Sequence, residues 1–213
     1  GRSVADFSGG EKERPFIELQ RRAFEVLKNT GTKCNAIWFW GDSLAPEFPK
    51  AEAGRCALGE TILMRGITAA ANIPIFPTEE AGRSFEAFLT EKADKAIAAL
   101  NGGYERAYVH IQATDDLSHD RNPLGKRAAI ETADALVVRR LMNEVDGDFR
   151  LLVLSDHFTY SDTGSHGGDP VPCLYFDSTC PGNNPSARFT EALCDERYEL
   201  TTAKGTVEMM EKK

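Results

Sequence analysis

Three short segments of this sequence combine aspartate and histidine in patterns that could bind a metal ion. The first is T-D-D-L-S-H-D, residues 114–120, in which Asp115 and His119 are four positions apart. On a helical turn this spacing puts both side chains on one face, and in a loop it still lets them converge on one ion. A solvated loop is the alternative interpretation, because Asp-x-x-x-His also arises by chance.

The second segment is S-D-H-F-T, residues 155–159, which follows the apolar run L-L-V-L. We expect that run to be a strand, so that Asp156 and His157 stand at its carboxyl end, where ligands bind in open parallel sheets. Taken singly, Asp156 is equally explained as a helix N-cap or turn residue, and His157 as a partly buried loop histidine. The first segment also follows a predicted strand. We therefore expect the Asp/His residues of both segments to lie in one shared crevice.

The third segment is S-H-G-G-D-P-V-P, residues 165–172, in which glycines after His166 let the backbone and an ion approach closely. An ordinary turn would look similar. Taken together, the three segments offer mixed carboxylate and imidazole ligands, which fit Mn²⁺ or Zn²⁺ better than Mg²⁺ or Ca²⁺. A structural role is the alternative to a catalytic one for such a metal. The remaining histidine, His110, lies in an apolar run and is predicted to be a core or strand-face residue rather than a ligand.

Alternating strands and helices must position these segments. The predicted helices cover residues 15–27, 61–71, 84–100 and 126–143, with another near the C-terminus, and the predicted strands cover residues 35–40, 73–76, 108–111, 150–154 and 171–176. Strands separated by helices imply parallel pairing that is buried on both faces. We therefore expect an α/β fold in which strands 108–111 and 150–154 are adjacent or nearly so.

Two breaks suggest how the chain is divided. Residues 1–14 are polar and lack periodicity, which predicts a linker, and the run Asn101-Gly102-Gly103 predicts a domain boundary. The expected division is therefore a linker over 1–14, one α/β part over 15–103, and the metal-binding part over 104–213.

Composition excludes several classes of partner. Of the 213 residues, 27% are charged, and the formal net charge of -8 would repel nucleic acid and anionic membrane surfaces. No apolar run approaches the roughly 20 residues needed to span a bilayer. The five cysteines are an odd number without C-x-x-C spacing, which indicates reduced thiols rather than a disulfide framework. We expect a cytoplasmic protein without nucleic-acid or membrane partners.

The order of the motifs resembles the C-terminal half of the archaeal-type cofactor-independent phosphoglycerate mutases, members of the alkaline-phosphatase superfamily. The motifs that carry the resemblance are D-x-x-x-H from Asp115, K-x-x-x-I-E-x-x-D from Lys126, D-H-x-T from Asp156, and H-x-x-D-P-V-P from His166. Three further segments resemble the inserted substrate domain of that family, namely N-A-I-W-F-W-G at 35–41, L-M-R-G-I at 63–67 and K-A-x-x-A-x-A-A-L at 92–100.

The resemblance implies a partial alkaline-phosphatase-like core with a parallel sheet over 104–213 and part of an inserted α/β substrate-binding domain over 15–103. It also implies two ions of Mn²⁺ or Zn²⁺ in the intact enzyme. The implied ligands are, for the first ion, Asp115, His119 and His166, and, for the second, Asp156 and His157. Lys92 and Arg65 match substrate-binding positions, and their alternative interpretations are a solvated helical lysine and a helix-end cation.

The implied activity is conversion of 3-phosphoglycerate to 2-phosphoglycerate through a phosphoserine. The family's opening segment, with its nucleophilic serine and a bridging aspartate, has no counterpart here, so we expect a fragment that contains no catalytic nucleophile. Tyr160 stands where the family commonly has proline, and P-T-E-E-A-G at 77–82 stands where a G-A-T-G-like loop is usual. The alternatives are another phosphatase, phosphonate-cleaving enzyme or mutase of the superfamily, or a non-catalytic binding domain with this fold.

Overall fold

The structure is a computed structural model that describes residues 11, 14–37, 39, 47–78, 81–180, 182, 189–191 and 202–211. The chain divides into two compact units, Gly1–Phe48 and Pro49–Lys213. Within the first unit, helix α1 (Arg14–Leu27) buries none of its side chains. Residues 34–37 and 39 form neither helix nor strand, and the rest of the predicted strand 35–40 lies outside the described residues, as does most of the predicted linker 1–14.

The second unit alternates strands and helices. Its described helices are α2 (Ile62–Ala71), α3 (Phe85–Asn101), α4 (Ala113–His119), α5 (Pro123–Ala133), α6 (Arg139–Glu144) and α7 (Ala203–Glu211). Its described strands are β1 (Arg55–Leu58), β2 (Ile75–Phe76), β3 (Arg106–Val109), β4 (Arg150–Leu154), β5 (Phe158–Tyr160), β6 (Ser165–Gly167) and β7 (Cys173–Asp177). A π-helical segment, Asp134–Val138, joins α5 to α6.

Local sequence signals start the helices that flank the candidate site. The Ser84 hydroxyl accepts a hydrogen bond from the Ala87 amide at the start of α3. The Asn122 side chain likewise accepts one from the Gly125 amide, and Pro123 follows in the first turn of α5, where its missing N–H costs nothing. Within the described part of the chain, no helix is both long and apolar enough to cross a membrane.

A parallel sheet in the order β2-β1-β3 forms the centre of the second unit. Strand β1 is fully buried at Cys56, Ala57 and Leu58, as expected of a parallel strand covered on both faces. The core cluster joins Leu58 to Phe88 of α3 and to Leu141 of α6, so the helices cover the sheet. The predicted α/β fold with a parallel sheet is confirmed.

Two strand pairs outside this sheet are antiparallel. Strand β4 pairs with β7, and β5 pairs with β6 in a hairpin. The parallel pairing that we predicted throughout residues 104–213 is therefore wrong for β4 and β7. The physical reason is the connection, because the chain returns from β4 to β7 through a hairpin instead of the crossover helix that parallel pairing needs.

Strands β3 and β4 both begin beside the C-terminal end of α7. Arg106, at the start of β3, forms an ion pair with Glu211 at 3.4 Å, and Arg150, at the start of β4, donates a hydrogen bond to the Met210 carbonyl at 3.1 Å. The described residues show no backbone pairing between the two strands, but Val109 and Leu151 pack on the same core cluster. Both strands therefore start at one side of the unit, as a shared crevice at their carboxyl ends requires.

Residues 101–103, the predicted boundary, lie inside the second compact unit. Strand β1 pairs with β3 across this position, and both belong to one compact unit. The glycines end α3, since the Gly102 amide donates to the Ala98 carbonyl and Gly103 has a positive φ of 103°. The assignment of 15–103 to a substrate-binding part and of 104–213 to a metal-binding part stays a prediction.

Candidate metal centre

Helix α4 carries the first Asp/His pair. It begins soon after β3 ends and places Asp115 and His119 one turn apart on the same face. The His119 Nε2 atom lies 3.4 Å from Asp115 Oδ1. The helical interpretation of this segment is therefore the one that the structure adopts.

The β5–β6 hairpin brings the third predicted ligand to this helix. His166 of β6 pairs with Thr159 of β5, and the turn closes with a hydrogen bond of 2.7 Å from the Gly164 amide to the Tyr160 carbonyl. Gly164 has a positive φ of 68°, and a Cβ atom there would come within 3.0 Å of the His119 carbonyl oxygen. A glycine at this position lets the hairpin approach α4 closely.

Three potential ligand atoms converge where the helix and the hairpin meet. The Nε2 atoms of His119 and His166 are 3.0 Å apart, and they lie 3.4 and 3.6 Å from Asp115 Oδ1. Ligand atoms about 2.1 Å from one ion stand about 3.4 Å apart in a tetrahedral arrangement. The spacing therefore fits an ion such as Zn²⁺ or Mn²⁺, with room for a ligand that is not among these residues.

Hydrogen bonding prepares His119 to bind an ion. Its Nδ1 lies 2.9 Å from the Gly164 carbonyl oxygen, which can only accept. Nδ1 therefore carries the proton, and Nε2 presents its lone pair to the cluster. A carbonyl that fixes the tautomer in this way is the usual partner of a metal-binding imidazole.

Both carboxylate oxygens of Asp115 are held in place. Thr159 donates its hydroxyl proton to Oδ1 at 2.6 Å, and the Gln112 amide donates to Oδ2 at 2.9 Å. Partial burial alone raises the pKa of Asp115, but the Thr159 hydrogen bond and the electrostatic attraction of His119 and the other nearby imidazoles outweigh it, so the pKa lies below its ordinary value. A carboxylate that stays ionised is the form that binds a cation.

The second Asp/His pair adjoins this cluster. The His157 ring lies against the His166 ring, with centroids 3.9 Å apart. Its Nε2 is 3.5 Å from Asp156 Oδ2, and the Asp156 side chain is exposed. The structure thus brings the first three predicted ligands together and places His157 and Asp156 beside them. The shared crevice predicted from the two strand ends is consistent with this arrangement.

The predicted substrate-binding residues lie in contrasting environments. Lys92 of α3 is fully buried, and its ammonium group donates to Glu60 at 2.7 Å and to the His110 carbonyl at 2.6 Å. The ammonium also lies 4.3 Å from the centroid of the Phe88 ring. Arg65 of α2 has an exposed side chain. Only Arg65 is open to solvent as the structure stands, and the substrate-binding role of both stays a prediction.

His110 is half-buried just after β3, and it is not one of the three residues whose ligand atoms converge in the described part of the chain. Its backbone amide donates to the Leu58 carbonyl at 2.9 Å. Within the described residues, its Nδ1 atom is buried without a hydrogen-bond partner. That His110 is a core or strand-face residue rather than a ligand stays a prediction.

Sequence reasoning missed several residues that shape the cluster. The sequence shows Thr159 only as part of the D-H-x-T motif, and no motif marks Gln112, Glu60 or Gly164. Thr159 offered a usable signal, because a hydroxyl two positions after a candidate ligand can reach back to it. The partners of Gln112 and Glu60 depend on how the chain folds, so their roles carried no local pattern.

The chain is similar to a family of metalloenzymes and to several named proteins. A family model described as the metalloenzyme superfamily matches residues 46–207. The chain is 29% identical over 198 residues to a probable 2,3-bisphosphoglycerate-independent phosphoglycerate mutase of Geobacter sulfurreducens, which covers 85% of this chain and 49% of that protein. It is 32% identical over 191 residues to 2,3-bisphosphoglycerate-independent phosphoglycerate mutase 2 of Methanothermobacter thermautotrophicus, with 82% and 47% covered.

A solved structure shares the fold. It is the PH0037 protein of Pyrococcus horikoshii, with a TM-score of 0.71 and 24% sequence identity, covering 86% of this chain and 52% of that one. The chain spans about half the length of the curated relatives that it matches.

Proposed function

Because the chain belongs to the metalloenzyme superfamily, we propose that it is the metal-binding half of a phosphoglycerate mutase that converts 3-phosphoglycerate to 2-phosphoglycerate. The resemblance to cofactor-independent mutases is confirmed by relatives of that name. The observation that carries the proposal is the convergence of one ligand atom each from Asp115, His119 and His166, all within 4.8 Å of one another. The protein would bind a small phosphorylated substrate and would act in the cytoplasm.

The residues present suit two ions of Mn²⁺ or Zn²⁺. We assign Asp115, His119 and His166 to the first ion, and Asp156 and His157 to the second. Such ions, when bound, would neutralise phosphoryl oxygens and activate a nucleophile. The contribution of this chain is to keep the ligands deprotonated and oriented, which Thr159 and the Gly164 carbonyl support through their hydrogen bonds.

Phosphoryl transfer in this proposal passes through a phosphoserine. The serine oxygen would take the phosphoryl group from one hydroxyl of the glycerate and return it to the other, so that substrate and product carry the same atoms. The relatives that this chain matches are about twice as long, and we propose that the nucleophile belongs to a part of the mutase that these 213 residues do not contain.

Lys92 and Arg65 are the cations that we propose for binding the anionic groups of the substrate. Arg65 is exposed and needs no rearrangement. Lys92 would have to turn its ammonium away from Glu60, with which it forms an ion pair at 2.7 Å, or share it between that carboxylate and the substrate.

The test is a ³¹P NMR assay of the interconversion of 3- and 2-phosphoglycerate with added Mn²⁺ or Zn²⁺. We expect turnover by an intact protein that contains this chain, and loss of that turnover in its His119→Ala variant. A preparation proven to contain only the 213 residues should show none. Turnover by that preparation would contradict the proposal that the nucleophile lies outside this chain. An intact protein without turnover would contradict the proposal that the protein is a phosphoglycerate mutase.

A further inference from the structure

We propose that Thr159 is the positioning residue that both groups of metal ligands share, because its hydroxyl donates to Asp115 and accepts from His157. This inference rests on the proposed metal-binding function and deepens it. Thr159 lies in β5 with 5% of its surface exposed. Its Oγ1 is 2.6 Å from Asp115 Oδ1 and 3.2 Å from His157 Nδ1. One side chain thus touches a ligand of each proposed ion.

The single hydroxyl proton decides the direction of both hydrogen bonds. A carboxylate can only accept, so the Thr159 proton is directed at Asp115. Toward His157, the same oxygen must then accept, and the Phe158 carbonyl, 3.2 Å from the same Nδ1 atom, can only accept as well. Nδ1 of His157 therefore carries the proton, and its Nε2 atom is left with the lone pair that an ion needs.

The backbone holds Thr159 in place independently of its hydroxyl. Thr159 pairs with His166 in the hairpin, and Lys126 of α5 donates to the Thr159 carbonyl at 3.0 Å. A Thr159→Val substitution keeps the shape of the side chain and these backbone contacts. It removes only the hydroxyl, so it isolates the hydrogen bonds from the packing.

Gln112 provides a matched control. Its amide donates to the other oxygen of Asp115 at 2.9 Å and approaches Asp116 at 3.3 Å. Among its described hydrogen bonds, none reaches His157. Loss of the Gln112 side chain should therefore affect only the ion bound by Asp115, whereas loss of the Thr159 hydroxyl should affect both.

The first experiment measures Zn²⁺ binding by the 213-residue chain. Calorimetry reports the tighter site, and the shift of the His157 ring resonances at higher Zn²⁺ reports the second. We expect Thr159→Val to weaken both by about 10- to 100-fold, the range typical of residues that orient metal ligands. Thr159→Ser should bind like the wild type, and Gln112→Leu should weaken only the tighter site. Unchanged binding in Thr159→Val, or an effect on one site alone, would overturn the proposal.

A second measurement needs no metal. The ¹⁵N chemical shifts of the His157 ring, recorded without metal at a pH where imidazoles are neutral, report the tautomer. We expect the Nδ1–H form in the wild type and in Thr159→Ser, and a growing share of Nε2–H in Thr159→Val. If the wild type binds no Zn²⁺, the proposed function fails, and the tautomer then decides the role of Thr159. A wild-type Nε2–H tautomer, or identical spectra for the valine variant, would overturn that role.

Discussion

The Nε2 atoms of His119 and His166 face each other at 3.0 Å. Since the Nδ1 proton of His119 is directed at the Gly164 carbonyl, the Nε2 atom of His119 is an acceptor. In the metal-free chain, His166 must therefore place a proton between the two rings, or their lone pairs would repel each other. A cation in that position would replace the proton and satisfy both rings at once.

Removal of His119 should therefore impair metal binding more than removal of a histidine elsewhere. We expect the wild type to bind Mn²⁺ or Zn²⁺ with a stoichiometry nearer one than two, because one site has three ligands in this chain and the other has two. His119→Ala should bind at least tenfold more weakly, and His110→Gln should bind like the wild type. Titration calorimetry measures all three, and equal, tight binding of two ions would show that the ligand assignment is wrong.

Gly164→Ala should loosen the hairpin from α4. The positive φ of 68° strains any residue with a Cβ atom, and that atom would press on the His119 carbonyl from 3.0 Å. We expect the free energy of unfolding to fall by about 1–2 kcal/mol, together with weaker Zn²⁺ binding. Urea denaturation measures the first effect and calorimetry the second.

Gly168→Ala is the control for that substitution, because a Cβ atom at Gly168 has nothing within 4 Å. If both alanine variants were equally stable and bound Zn²⁺ equally well, the close approach at Gly164 would not matter.

The ion pair between the fully buried Lys92 and the partly buried Glu60 should contribute to stability as a unit. Lys92→Met leaves the Glu60 carboxylate without the ammonium that lies 2.7 Å away. Loss of one partner from a fully buried ion pair costs about 3–5 kcal/mol, and the partial exposure of Glu60 should reduce that loss. The double variant Lys92→Met/Glu60→Gln should recover much of that loss, since no unpaired charge remains. Lys95→Met, which breaks a partly exposed pair with Glu91 on the same helix, should cost less than about 1 kcal/mol. Urea unfolding of all variants is the measurement, and a double variant no more stable than Lys92→Met contradicts the pairing.

Asp177 should make stability depend on acidic pH. Hydrogen bonds from Thr179 and from Arg150 lower the pKa of Asp177 far below its ordinary value. A carboxylate with a lowered pKa in the folded state stabilises the fold above its unfolded pKa of about 3.9, and this contribution is lost as the pH falls below that value. Asp177→Asn should therefore be less stable than the wild type at pH 7, and the difference in stability should shrink as the pH falls below about 4.

Urea denaturation at a series of pH values measures that difference. Asp148→Asn, which changes an exposed carboxylate just before β4, is the control and should not reproduce the trend. A stability difference for Asp177→Asn that is independent of pH would contradict the role given to its charge.

The sequence predicted the elements that have strong local signals. Strand 150–154 appears with the predicted limits, and the predicted helix 84–100 is observed as α3 (Phe85–Asn101). Strand β1 was missed because R-C-A-L is short and lacks the β-branched residues that mark a strand. The hairpin was missed for a similar reason, since each of its strands has three residues, too few to show an alternating pattern.

The part of the candidate site that follows directly from the end of a strand could be predicted from the sequence. Asp115 and His119 follow β3, and the helical spacing alone puts them on one face. The burial of Lys92 could not be predicted, because it depends on Glu60, 32 positions earlier in the chain. A lysine within an Ala-rich helix is exposed in most proteins, and only tertiary pairing changes that.

A hairpin as short as β5–β6 is marginally stable by itself in water. Here three hydrogen bonds hold it in place. The Thr159 hydroxyl donates to Asp115, Lys126 donates to the Thr159 carbonyl, and the Gly164 carbonyl accepts from His119. Because His166 lies on this hairpin, opening of the hairpin would take away one of the three ligands of an ion bound there. Opening would then speed escape of the ion, so a variant that raises the hydrogen-exchange rate of the hairpin amides should also shorten the residence time of the ion.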